Sequence, residues 1–169
     1  MTLRSTRKKR KSSKRKTRKT DEDAGAAIAA GGFGCVFRPP IAPKSASHRA
    51  KINAQPYISK LMQRRYAKEE MDEVNRILPI VSRIPNSQRY FLLDGIFVSE
   101  DFGPLNSEDK KNFDNKCRNI TRTGITSSNV NNNLGGLACM YIPDGGISIN
   151  EAMKQLSITV GNGMASGLK

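Results

Sequence analysis

The 169-residue chain holds a single histidine, His48, and only three cysteines, Cys35, Cys117 and Cys139. With no second histidine and no Ser-His-Asp or Cys-His pairing to propose, hydrolytic catalysis has little support. Three cysteines are an odd set, and none stands in C-x-x-C spacing. Both facts argue against zinc and against a disulfide framework, so three reduced thiols and no metal ligands are expected. No stretch approaches the roughly 18 apolar residues of a membrane-spanning helix. No apolar segment of the secretory type follows the first basic residues, so the expectation is an intracellular chain that is not secreted. The Asn119-Ile120-Thr121 sequon is, on that expectation, a chance match.

Acidic residues are also missing from the first 20 positions, where 11 of the 29 Lys and Arg residues lie. The remaining 18 face 15 acids, so the net charge of +14 belongs mainly to the tail. Residues 4–19 have no apolar periodicity and repel one another, which predicts a disordered basic arm over 1–23. Such an arm neutralises phosphates. DNA, RNA or an anionic membrane would be bound without sequence preference and with a steep salt dependence. Lys8-Lys9-Arg10-Lys11 also fits a nuclear-import signal, and a merely solubilising tail is the third reading.

What is present in abundance is glycine at one place. Ala29-Ala30-Gly31-Gly32-Phe33-Gly34-Cys35-Val36-Phe37 is a glycine-rich turn followed by a strand signal. Glycine backbone can approach a polyphosphate closely, so that main-chain N–H groups meet the anion. A dinucleotide-binding turn would need a helix next, but Arg38-Pro39-Pro40 stops one. A Walker A loop would need Gly-Lys-Ser or Gly-Lys-Thr, and neither follows Gly34. What remains is the strand-turn-strand pattern G-x-G-x-x-G-x-V, with Ala29 at the first glycine position, Gly31 and Gly34 at the others, and Val36 after them.

Further segments follow in a telling order. Tyr57-Ile58-Ser59-Lys60-Leu61-Met62 is an apolar strand with a lysine in it. Residues 67–78 carry Met71, Val74, Ile77 and Leu78 at helical spacing, which predicts a helix ended by Ile84-Pro85-Asn86. Residues 90–98 read as a strand, as does the start of 137–146. Ser148-Ile149-Asn150-Glu151 is a capping box opening a short helix.

This succession resembles the amino-terminal lobe and hinge of eukaryotic-type Ser/Thr protein kinases over about residues 26–156, most of all those encoded by large DNA viruses. The resemblance implies an α+β fold, a twisted antiparallel sheet with one main helix, and ATP as ligand. It implies that Ala29, Gly31, Gly32, Phe33 and Gly34 cover the phosphates and that Val36 packs on the adenine. Lys60 would hold the α- and β-phosphates while paired with Glu70, or with Glu73 one turn later. Glu70 is preferred because Val74 and Ile77 then fall at core positions behind it. Met140, Tyr141 and Ile142 would form the hinge, with Ile142 as the N–H donor because Pro143 has none.

The departures are as informative. Residues 39–56 and 99–136 read as insertions, the second with a helix over 106–120 carrying Phe113, Cys117 and Ile120 on one side. Phosphoryl transfer in the family needs a catalytic-loop Asp and a magnesium-binding Asp in D-F-G, both after the hinge. Asp101-Phe102-Gly103 precedes the hinge and is read as a decoy. The expected activity is therefore nucleotide binding, with magnesium only if a second lobe is supplied and no phosphotransfer by these residues alone. The face such a lobe covers would need a partner protein, or mark marginal stability or a truncated frame. Residues 157–169 have no clear periodicity and read as a loose end. The alternative is a non-enzymatic basic adaptor that works through residues 4–19. Host cytoplasm, nucleus or virion are the expected locations.

Overall fold

The computed structural model describes residues 25–147, 149–150 and 152–154. The capping-box residues Ser148 and Glu151, the basic arm and residues 157–169 lie outside them. The fold is α+β, built on a five-stranded antiparallel sheet in the order β1-β2-β3-β5-β4. The strands are β1 (Ala26–Ala30), β2 (Gly34–Arg38), β3 (Tyr57–Gln63), β4 (Phe97–Ser99) and β5 (Leu137–Pro143).

Side-chain alternation divides the sheet into two faces. On one, Cys35, Phe37, Leu61, Cys139 and Tyr141 join the main core. On the other lie Met62, Ala138 and Met140, packed with Ala67 from the long helix α2 (Arg64–Val81). Helix α2 starts directly at the end of β3 and extends past the expected 67–78 at both ends. Pro79 sits in its last turn, where it removes one N–H bond to the Asn75 carbonyl and the helix ends two residues later. The only described cis peptide is Arg38–Pro39.

Both insertions cover the first face. Within 39–56, read from the sequence as an insertion, the chain forms α1 (Ala46–Ala54). Ile41 anchors it: its N–H donates to Ser59 Oγ at 2.9 Å, and its carbonyl accepts from the Tyr141 hydroxyl at 2.9 Å. The His48 ring packs on Phe97, tilted by 33°, with ring centres 4.6 Å apart.

The second insertion is not one helix but three short ones, α3 (Ser107–Lys110), α4 (Phe113–Lys116) and α5 (Arg118–Thr121). Asn112 breaks the run with φ of 59°, in the left-handed region. The expected face survives the break, and Phe113, Cys117 and Ile120 are all buried. Asp109 fastens α3 to the sheet edge, accepting from Gly25 N at 2.9 Å and from Asn106 N at 2.9 Å.

The expected strand over 90–98 shrinks to Phe97–Ser99. Gly95 takes φ of +84°, a conformation no strand can include. Tyr90, Phe91 and Leu92 are left exposed beside it.

Candidate functional site

The strand register places the site. Val36, Lys60 and Met140 pair in one row across β2, β3 and β5, so their side chains share the face turned to α2. Helix α2 brings up the carboxylate. Lys60 Nζ donates to Glu70 Oε1 at 2.5 Å and Oε2 at 2.7 Å, and both side chains are largely shielded. An ammonium has three N–H donors, so one remains for a ligand. Glu73, the other sequence candidate, is turned to solvent and pairs with Arg76 at 2.5 Å.

The glycine turn closes over this lysine. Gly31 N donates to Gly34 O at 2.7 Å, which makes the turn tight. A Cβ on Gly31 would come within 3.3 Å of Lys60 Cε, so the turn lies directly above the lysine side chain. A Cβ on Gly34 would sit 2.2 Å from Leu61 O, an overlap no side chain avoids. Phe33, at the tip, stacks on Tyr66 of α2 with centroids 4.7 Å apart. Beneath lies an open cleft of about 680 Å³ bordered by Phe33, Tyr66, Glu70, Ile96, Met140 and Ile142. Ala29 stands exposed at the end of β1, opposite Val36.

Two hinge expectations need correction. Tyr141 points to the opposite face, where it is buried and stacks on Phe97 at 4.8 Å. Alternation from Met140 dictates this. Burial pushes its hydroxyl pKa up, as it does the Cys139 thiol beside it. The Ile142 N–H is also unavailable to an adenine. Asp144 N donates to Pro56 O at 2.9 Å, and counting back along the antiparallel ladder makes Ile58–Ile142 a hydrogen-bonded pair. The Ile142 N–H therefore faces β3.

Asp101-Phe102-Gly103 is structural. The Asp101 carboxylate meets Lys44 at 3.2 Å in solvent, Phe102 is buried in the core, and Gly103 N donates to Ala42 O at 3.0 Å. It joins the two insertions and lies away from Lys60.

Two features of the site were not anticipated. Cys35 and Cys117 form a disulfide, leaving Cys139 as the free thiol, so the expectation of three reduced cysteines is overturned. An odd count conceals a pair when the partners lie 82 residues apart and only the fold brings them together. Next to it, Asn119 Nδ2 donates to Gly31 O at 2.9 Å and also to Gly32 O. The sequon amide is thus engaged with the glycine turn. No protein-family model, no curated protein sequence and no solved structure matches this chain.

Proposed function

We propose that the chain is a nucleotide-binding lobe of the protein-kinase type, taking ATP under its glycine turn. One observation carries the reading: Lys60, clasped by both oxygens of Glu70, lies directly beneath Gly31 in a row with Val36 and Met140. A fixed ammonium under glycine backbone is what a polyphosphate requires, because N–H groups and one cation can then meet it together. The base end would rest on apolar side chains of the same face, Val36, Met140 and Ile142. Phosphoryl transfer and magnesium ligation need acidic groups that the family places after the hinge, and these 169 residues carry no such motif there. The function proposed is therefore binding, and any transfer reaction belongs to a chain or segment that supplies those groups. The exposed Ile77, Ile80, Phe91 and Leu92 are consistent with a protein partner on that side.

A second reading rests on the 11 basic residues among the first 20: an adaptor whose arm binds nucleic acid or an anionic surface. An intracellular location belongs to both readings. No helix among the described residues is long and apolar enough to cross a membrane.

Titrating the full chain with a non-hydrolysable ATP analogue separates the two. At roughly 0.3 M salt, phosphate contacts of the arm are suppressed while a built site persists. Saturable binding that falls at least about tenfold in Lys60→Ala is expected, since a phosphate-binding cation is lost. Binding that Lys60→Ala leaves intact, or that vanishes with salt alone, overturns the nucleotide reading in favour of the adaptor.

A further inference from the structure

The glycine turn is held from outside by a segment that has no part in the row of Val36, Lys60 and Met140. Helix α5 packs on the face of β2 that carries Cys35, opposite the face that carries Val36 and Lys60. From there Asn119 donates both amide hydrogens, one to the carbonyl of Gly31 and one to that of Gly32. All described peptides other than Arg38–Pro39 are trans, so in each unit the C=O and the following N–H point in opposite directions. Drawing the Gly31 and Gly32 carbonyls toward α5 therefore turns the N–H groups of Gly32 and Phe33 away from it, toward the side of Lys60. Neither N–H has an acceptor among the described residues. Two residues before Asn119, the Cys117 sulfur is bonded to Cys35 of β2, which follows the turn directly. Asn119 thus reaches the turn from a segment covalently tied to the same strand.

We propose that Asn119 is a positioning residue for the phosphate-binding turn and that the Cys35–Cys117 bridge is the redox-sensitive anchor that keeps it there. This rests on the nucleotide reading for its purpose, but the clamp itself is a property of the free protein. In the bridged chain the two N–H donors are pre-aimed, and a polyphosphate meets them without ordering the turn first. Both cysteines are buried, so a dithiol reductant reaches the S–S bond only when the α5 segment opens locally; it then breaks the bond with two electrons and two protons, giving two cysteine thiols while the dithiol closes to its own disulfide. The tether on α5 is then released, the turn samples other peptide orientations, and apparent affinity falls with the population of the aimed one.

The test uses the full chain and two readouts. Backbone ¹⁵N relaxation at Gly31–Gly34 without nucleotide reports the clamp, and titration with a non-hydrolysable ATP analogue reports its use. In the oxidised protein the turn should be rigid, with order parameters of about 0.85. Asn119→Ala, with the bridge intact, should drop them to about 0.6 or lower. Affinity for the analogue should weaken about five- to tenfold in the same variant. Reduction by a dithiol should reproduce both changes in the wild type and add nothing to Cys117→Ala. Unchanged order parameters in Asn119→Ala overturn the positioning role. Global unfolding on reduction, or a turn that stays rigid in a folded reduced chain, overturns the switch. A turn that loosens as expected in a protein that never binds the analogue upholds the clamp and overturns the nucleotide reading instead.

Discussion

Replacing both bridge cysteines, Cys35→Ala with Cys117→Ala, removes a covalent loop closure between residues 82 apart in sequence. In the chain-entropy account the lost restriction of the unfolded state at that separation is worth about 4.5 kcal/mol at 25 °C. Both sulfurs are fully buried, so the two alanines also leave small voids that add to the loss. A domain of this size has a total stability of roughly 6–20 kcal/mol, so the variant is expected to fold but to be fragile. With a urea slope of about 2 kcal/mol per molar, the unfolding midpoint should move down by about 2 M. The assay is urea denaturation of the oxidised full chain and of the double variant, followed by far-ultraviolet circular dichroism. A thiol count under non-reducing conditions runs beside it. Cys139 is fully buried and burial pushes its thiol pKa up, so no thiol should react in the folded protein and one should react once it is unfolded. A midpoint shift below about 0.5 M, or three reactive thiols in the unfolded oxidised chain, would refute the reasoning.

Two further predictions follow from the same packing. Gly34→Ala puts a Cβ 2.2 Å from Leu61 O, backbone that cannot step aside. It should cost about 2–3 kcal/mol, lower the melting temperature by roughly 10 °C, and disturb the turn above Lys60, read by calorimetry and analogue binding. Asp109→Asn offers one acceptor where two backbone N–H groups, of Gly25 and Asn106, now find two carboxylate oxygens. It should cost about 1–2 kcal/mol at neutral pH despite removing a buried charge. Burial raises the Asp109 pKa above its ordinary value of 3.8, so the folded chain holds this proton more tightly than the unfolded one. Its contribution to stability therefore declines as pH rises from about 4 through the raised pKa, and that part of the slope should vanish in Asp109→Asn.

The elements near the site were legible because local chemistry dictates them. Gly31-Gly32-Phe33-Gly34 before Cys35-Val36-Phe37 is a turn and a strand here, since glycine frees the backbone and the residues after it favour extension. The spacing of Met71, Val74, Ile77 and Leu78 marked α2, although the helix runs beyond that pattern at both ends, from Arg64 to Val81. The strand expected over 90–98 forms only from Phe97: apolar content argued for the whole run, but residues 90–93 are irregular and Gly95 in a left-handed conformation turns the chain before the strand begins. The face of Phe113, Cys117 and Ile120 was visible as a pattern, while its division into three helices followed from the breaks at Asn112 and at Cys117, where the backbone leaves the helical region.

By itself the sequence determined the sheet-and-helix composition, the clustering of basic residues in the first 20 positions and the presence of a glycine turn ahead of a strand lysine. Periodicity, turn chemistry and charge act over a few residues, and they need no partner from elsewhere in the chain. The tertiary structure settled the preference for Glu70 over Glu73 as the partner of Lys60, because three residues stop about 60° short of a full helical turn and carry Glu73 off the row that meets the sheet. It alone removed Tyr141 from the cleft and the Ile142 N–H from the hinge, because strand alternation and ladder phase depend on which neighbour is paired. It alone joined Cys35 to Cys117 and Asn119 to Gly31 and Gly32, contacts spanning more than 80 residues. No local preference encodes such contacts, because they exist only after the sheet has brought the second insertion back over the first hairpin.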